Sequence, residues 1–265
     1  MTRDVVGELI ADGRTSEVYR YGSDAAVKLL KPSTPPDWAR HEADYTEVAR
    51  GIGVPTPEVL GLVDIDGRPG IVFRLLLGPS MWQRMLDRPG DVESLVGELV
   101  GLQRAIHTAD LPDGLPSLTD RMRSKLDAAT ELDDDDRIAA LALLDTMPAG
   151  GSVLHGDLHP GNVLLADEGP VVLDWFDAAV GHPTADVTRS RLLVCPTGAT
   201  DLAHLPGAPA GLIERVAATF DAAVGPTLDL DPELTTAWTR LNAASRLAEG
   251  TDSATADLRR VWLAG

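Results

Sequence analysis

The chain has 265 residues, 44% hydrophobic and 24% charged, a composition that builds a core and excludes a disordered chain. Its 41 acidic against 23 basic residues leave a formal net charge of −18, a field that repels nucleic acid and anionic membranes and gathers cations. One cysteine, Cys195, excludes a disulfide framework and a cysteine-built zinc site, and reads as a buried thiol.

The opening MTRDVVGELIADGR is too charged for a secretory signal, and no apolar run reaches the length of a membrane span, so a cytoplasmic protein is expected. From residue 4 to 31, DVVGELIADG, SEVYRYG and AAVKLLK read as short strands punctuated by Gly7, Gly13 and Gly22. STPPDWARHEADYTEVARGIG then reads as a helix entered through prolines and closed by Gly51 and Gly53. VPTPEVLGLVDIDGRPGIVFRLLLG returns to strands, with DIDGRPG as a hairpin turn.

A change of pattern near residues 74–79 divides a strand-rich region, 1–77, from a larger helical one, 78–265. DVESLVGELVGLQRAIHTAD, SLTDRMRSKLDAATEL, RIAALALLDTM, PAGLIERVAATFDAAV and PELTTAWTRLNAASRLAEG all show helical periodicity. The acidic run Asp133–Asp136 reads as a solvated loop or a helix start. Only 153–174 interrupts this half, with two apolar runs expected to form an inserted pair of strands.

Between those runs lies VLHGDLHPGNVLL, with His155, Asp157 and His159 at every second position. On an extended segment that spacing faces three metal-ligating side chains one way, but Pro160-Gly161 demands a turn and no other His or Cys cluster completes a ligand set. An ordinary polar hairpin accounts for Pro160, Gly161 and Asn162, but not for a carboxylate between two histidines, nor for Asp174 ending the apolar run VVLDWFD. Phosphoryl transfer accounts for all of them. An aspartate orients or takes the proton of an attacking hydroxyl, an amide oxygen downstream helps hold Mg²⁺, and a second aspartate binds the metal on the ATP phosphates. Asp157, Asn162 and Asp174 stand in that order.

HGDLHPGN followed by VVLDWFD resembles the aminoglycoside phosphotransferase and choline kinase family, whose motifs are related to the His-Arg-Asp and Asp-Phe-Gly of protein kinases. The resemblance implies an α+β, protein-kinase-like bilobal fold: an antiparallel sheet lobe with one helix that binds nucleotide, then a mainly helical lobe for catalysis and substrate. It implies Asp157 as catalytic base, Asn162 and Asp174 as Mg²⁺ ligands, and His155 as structural support; His159 is given no role. In the first half, GELIADGRTSEVYRYG is similar to the loop over the ATP phosphates, with Ser16 where a third glycine would stand and the amides of Arg14, Thr15 and Ser16 available to phosphate.

Lys28 in AAVKLLK matches the family's ATP-contacting lysine, with Lys31 read as a solvated strand end. Glu42 is its expected ion-pair partner, and Glu47 is the alternative. The backbone of Arg74, Leu75 and Leu76 matches the strand end facing adenine, although an acidic residue is common where Arg74 stands. His107 is read as structural. Asp186, in the Gly-x-Pro-x-x-Asp element from Gly181, is expected to brace the catalytic loop.

The resemblance is strongest at 153–189 and fades beyond residue 200, where substrate-recognition elements would lie. It implies an ATP- and Mg²⁺-dependent kinase for a small-molecule hydroxyl. The acidic charge favours a cationic acceptor, such as an aminoglycoside or another aminated antibiotic, with Asp177 a candidate amine ligand. A metabolite kinase for an amino alcohol, sugar or homoserine-like substrate is the alternative, and a non-catalytic nucleotide-binding regulator a further one. The few residues between Asp177 and Gly181 leave no room for a peptide-docking segment, which disfavours a protein kinase.

Overall fold

The computed structural model describes residues 6–195, 211–227, 230–249 and 255–264. Strands β1 (Val6–Asp12), β2 (Ser16–Tyr21) and β3 (Ala25–Leu30) run as a meander into helix α1 (Trp38–Gly51), and β4 (Val59–Ile65) and β5 (Arg68–Arg74) follow. The five strands form an antiparallel sheet in the order β1-β2-β3-β5-β4, which puts β3 in the centre with every residue buried. Alternation along β3 sorts its side chains by face. Ala25, Val27 and Leu29 pack with Ile65 and Val72, whereas Leu30 joins Ala39 and Ala43 of α1 and Ile71.

The Asp66-Gly67 turn has φ of 55° and 78°, the left-handed pair that a two-residue type I′ hairpin requires. Gly7 does not punctuate the chain as expected, because it lies inside β1. The pairing of β1 with β2 shifts register between Val6 and Leu9, and a Cβ on Gly7 would sit 3.3 Å from Arg20 Cβ. A residue without a side chain suits that irregularity.

The rest of the chain is mainly helical, as the α+β expectation has it. Helices α2 (Met81–Asp87), α3 (Val92–His107), α4 (Leu118–Ala128) and α5 (Asp134–Asp145) come first. Then come β6 (Ser152–Leu154), β7 (Val163–Ala166), β8 (Gly169–Val172) and β9 (Ala179–Gly181), followed by α6 (Pro183–Val194), α7 (Leu212–Thr227), α8 (Pro232–Arg246) and α9 (Thr255–Leu263). The Asp133 side chain caps α5 by accepting from Asp136 N–H, and Asp134–Asp136 fill its first turn, where acidic charge opposes the helix dipole. The acidic run is therefore a helix start. A core of Leu126, Leu144, Leu192, Trp238, Leu241 and Trp262 joins α4, α5, α6, α8 and α9. No described helix is long and apolar enough to cross a membrane.

The inserted pair of strands expected at 153–174 is corrected. The apolar runs flanking the HGDLHPGN loop do not pair with each other: β6 pairs antiparallel with β9, and β7 pairs with β8. Neither α2 nor α9 was expected from periodicity; α2 is short and is started by Ser80 Oγ accepting from Gln83 N–H at 3.0 Å.

By internal packing the chain forms two compact units. One holds the chain up to Pro79 with Pro112–Gly114 and Leu164–Asp177; the other holds Ser80–Leu111, Leu115–Val163 and the described residues from Ala178 onward. Segment 164–177 thus folds with the sheet, held in part by Leu165 N–H donating to Pro79 O at 2.9 Å and Val172 N–H to Pro55 O at 2.8 Å. Gly78 permits this, because at φ 147° a Cβ there would lie 2.1 Å from Leu165 O. Gly78→Ala should destabilise the protein by about 1–3 kcal/mol. A lower urea midpoint at unchanged slope is the expected reading.

Candidate active site

In the sheet unit, alternation on β3 turns Lys28 toward α1, on the same face as Leu30. On α1 the buried residues Ala39, Glu42, Ala43, Thr46 and Ala49 form one helical stripe, so Glu42 meets Lys28 inside the protein. The Lys28 ammonium lies 2.7 and 2.8 Å from the two Glu42 carboxylate oxygens. Its third neighbour is Asp174 Oδ2 at 3.2 Å. Glu47, the alternative partner, instead accepts from Val59 N–H at 3.3 Å, and Lys31 pairs with Asp12.

Asp174 reaches this position through an uncommon backbone. It has φ 61°, between the end of β8 and a 3₁₀ turn, Trp175–Asp177. Trp175 is fully buried with its indole N–H on Val172 O, and Phe176 stacks on Trp38 of α1 with ring centroids 4.1 Å apart. The first two residues of the turn are fixed by packing, and the left-handed conformation at Asp174 absorbs the change of direction. Burial opposes the charge on Lys28, but Asp174 and Glu42 outweigh it and hold the ammonium above its ordinary range. Burial pushes the Glu42 carboxyl up, against the pull of Lys28.

The other expected nucleotide contacts lie in the same unit. Ser16 already belongs to β2, opposite Leu30, which leaves Arg14 and Thr15 as the turn. That turn is anchored by Gly13 N–H on Ser16 O and by Lys31 N–H and Thr34 Oγ1 on Thr15 O. The Arg74 side chain is engaged by Asp24 and Glu58. The N–H groups of Arg74 and Leu75 donate to Glu58 O and Asp24 O, so of the three residues at this strand end Leu76 is the one whose N–H makes no backbone hydrogen bond among the described residues. Asp177 closes its turn partly buried.

In the helical unit, the HGDLHPGN loop is held from several directions. His155 is fully buried, and its Nδ1 accepts from Asp157 N–H at 3.1 Å. His159, which had no expected role, caps the 3₁₀ turn Pro160–Asn162 by accepting from Gly161 N–H at 3.0 Å. One ring nitrogen of each histidine is thus engaged by a backbone amide two residues on, which accounts for their spacing. Asn162 Nδ2 donates to Asp157 O at 2.9 Å and to Asp157 Oδ2 at 3.2 Å. With its nitrogen turned into the loop, the Asn162 amide oxygen is left as a hard donor of the kind Mg²⁺ takes.

Asp186, on the first turns of α6, accepts from Gly156 N–H at 2.7 Å. Its other oxygen meets His107 Nε2 at 2.8 Å and Gln103 Nε2 at 3.2 Å. Gln103 and His107 are one turn apart on α3 and face α6 together. Burial raises the Asp186 carboxyl, but the His107 bond, the charges of His107 and His155 and the Gly156 amide outweigh it and hold the group below the usual range.

Three further residues, not singled out from sequence, complete this half. Arg189, one turn beyond Asp186, donates to Gly156 O and reaches Asp157 Oδ1 at 3.2 Å. Glu249 accepts from Arg189 at 2.8 and 3.1 Å, and Gln103 joins Asp186 to Ser190. The spacing from Asp186 to Arg189 was a readable signal; Glu249, far along the chain, offered none.

The model of the phosphotransferase enzyme family matches residues 6–203. The chain belongs to that family. A Bacillus subtilis (strain 168) relative, an uncharacterized protein called YcbJ, is 27% identical over 206 residues, which cover 69% of this chain and 58% of that protein. The matched part therefore spans well under two-thirds of that relative's length. Among solved structures, a thermostable mutant of the aminoglycoside phosphotransferase APH(4)-Ia, in a ternary complex with AMP-PNP and hygromycin B, aligns with a TM-score of 0.66 at 18% identity, covering 97% of this chain and 94% of that one. An aminoglycoside-3'-phosphotransferase of type VIII aligns at 0.61 and 22%, covering 91% and 94%. At these identities the likeness is one of fold, the kinase-like fold of aminoglycoside phosphotransferases.

The buried carboxylate of Asp186, on α6 against the loop, gives a stability signature. A group held below its ordinary pKa in the folded state adds stability above that ordinary range and loses it as pH falls through the lowered value. Asp186→Asn should cost about 2 kcal/mol at neutral pH. Thermal melts should show that cost shrinking below about pH 4, where the wild type loses the same contribution.

Proposed function

We propose that this chain transfers the γ-phosphate of ATP to a hydroxyl of a small, cationic molecule, an aminoglycoside or another aminated antibiotic. The observation that carries the reading is the Lys28 ammonium, buried and shared between Glu42 and Asp174. A permanent cation fixed at a strand centre beside a partly exposed carboxylate is what binding of a nucleotide phosphate with its metal requires.

Lys28, steadied by Glu42, orients the phosphates. Arg14 and Thr15, with Ser16 behind them, cover the phosphates, and Leu76 N–H meets the base edge, flanked by Arg74 and Leu75. Asp174 and the amide oxygen of Asn162 are the donors for Mg²⁺, and their hard oxygen character fits that ion. When bound, Mg²⁺ neutralises charge on the phosphates. Asp157 positions the acceptor hydroxyl and takes its proton. His155 and Asp186 keep the loop in shape for that step. Positioning and fixed charge account for most of the acceleration in such a transfer.

The net charge of −18 supports a cationic acceptor, drawn in by the long-range field. Asp177, beside Asp174 in sequence, is the candidate to hold an amino group. A solved structure of the same fold, an APH(4)-Ia mutant in complex with hygromycin B, supports the same class.

The test is ATP-dependent phosphorylation across a panel of aminated antibiotics, amino alcohols and sugars, with Asp157→Ala as control. An antibiotic should be the best acceptor, and Asp157→Ala should lower its kcat by about 10²–10⁴-fold. Turnover only on amino alcohols or sugars would reassign the acceptor. A mutant as fast as wild type would remove Asp157 from the chemistry. Lys28→Met should cost about a hundredfold in kcat/KM for ATP while Asp157→Ala leaves ATP binding intact. Nucleotide titration followed by thermal shift separates the two effects.

A further inference from the structure

The catalytic role given to Asp157 leaves unexplained a chain of buried charges behind it. Asp157 Oδ1 receives Arg189, whose side chain is 6% exposed, and Arg189 also donates to Gly156 O. Behind Arg189 stands Glu249, 12% exposed, which accepts from Arg189 with both oxygens and from Lys125 of α4 at 3.0 Å. Glu249 follows α8, beyond residue 203 where the family match ends. The contacts to Asp157 are split by atom: Oδ1 to Arg189, Oδ2 to Asn162.

We infer that Arg189 is a positioning residue for Asp157, and that Glu249 sets its aim from the C-terminal helical segment. This rests on the phosphotransferase reading above. A free aspartate rotates about two side-chain bonds. The guanidinium holds Oδ1 and the carbonyl of Gly156 while Asn162 donates to Oδ2, so the carboxylate plane is set and Oδ2 keeps a lone pair for the acceptor hydroxyl. Arg189 itself is long and flexible, and a buried guanidinium without a counter-charge would be costly. The two-oxygen grip of Glu249 removes both problems. Lys125 in turn holds Glu249, so the aim of Asp157 depends on α4, α6 and the segment after α8 together. The reacting loop is thereby tied to a part of the chain outside the shared family region.

The experiment compares Arg189→Met, Arg189→Lys, Glu249→Gln and the double variant Arg189→Met/Glu249→Gln. With the best acceptor, Arg189→Met should lower kcat by about a hundredfold while KM for ATP stays within about twofold. Arg189→Lys, keeping the charge but not the fork, should recover part of that loss. Glu249→Gln should cost less than Arg189→Met, and the double variant should be no slower than Arg189→Met, since Glu249 acts through Arg189. Wild-type kcat in Arg189→Met, or losses that simply multiply in the double variant, would overturn the inference. If Arg189→Met does not fold, Arg189→Lys and Glu249→Gln decide it: kcat must fall in both with KM for ATP held. Amide hydrogen exchange of Gly156–Asn162 needs no turnover and should quicken in Glu249→Gln. Unchanged exchange sinks this inference alone, whereas a wild type that phosphorylates no acceptor sinks the phosphotransferase reading.

Discussion

An ionised side chain taken out of water needs a partner of opposite charge or a full set of hydrogen bonds, and much of this protein is arranged to supply them. In the sheet unit the buried cation is Lys28, and the demand is met by Glu42 from α1 and Asp174 from the turn after β8. Elsewhere the buried anion is Asp186, satisfied by Gly156, His107 and Gln103. Arg189 is answered by Glu249 and Asp157. Each pairing joins segments distant in sequence, so each fixes the relative placement of elements that hydrophobic packing alone would leave free to slide.

In the proposed reading these pairings hold the residues that would carry chemistry. A cluster whose geometry is over-determined by buried charge holds its polar atoms where a substrate needs them, without further rearrangement. The positive φ at Asp174 belongs to this pattern. Trp175 in the core and Phe176 against Trp38 hold the following turn so firmly that the aspartate accepts a disfavoured backbone. The helix that carries Glu42 carries Trp38 as well, so one element fixes both the partner of Lys28 and the turn next to Asp174.

Legibility from the sequence was uneven. The meander of β1 to β3 is legible from short apolar-rich runs and the glycines between them, but Gly7 reads as punctuation because a bulge within a strand leaves no pattern of its own. The Asp66-Gly67 turn was legible because few dipeptides adopt two left-handed residues in succession. The pairing of β6 with β9 and β7 with β8 was not, because three- and four-residue strands carry too few side chains to name their partners. The even spacing of His155 and His159 suggests a shared face, Pro160-Gly161 argues against it, and each ring is in fact turned to an amide two residues on.

By itself the sequence determined the reaction family, the order of Lys28, Glu42, Asp157, Asn162 and Asp174 along the chain, and the identity of the strand and helix that hold Lys28 and Glu42. The family and the roles follow from the resemblance its motifs carry, and each motif, turn residue and helical period is read within a short window. Only the tertiary structure decided which atom of each side chain is engaged: the Asn162 nitrogen turned into the loop, the Arg74 and Leu75 amides used within the sheet, Oδ1 of Asp157 taken by Arg189. It also brought in Glu249, from 60 residues away. Burial is a property of the whole packed chain, and the demand it makes on a charge is answered by whichever residue the fold delivers, at no fixed distance in sequence.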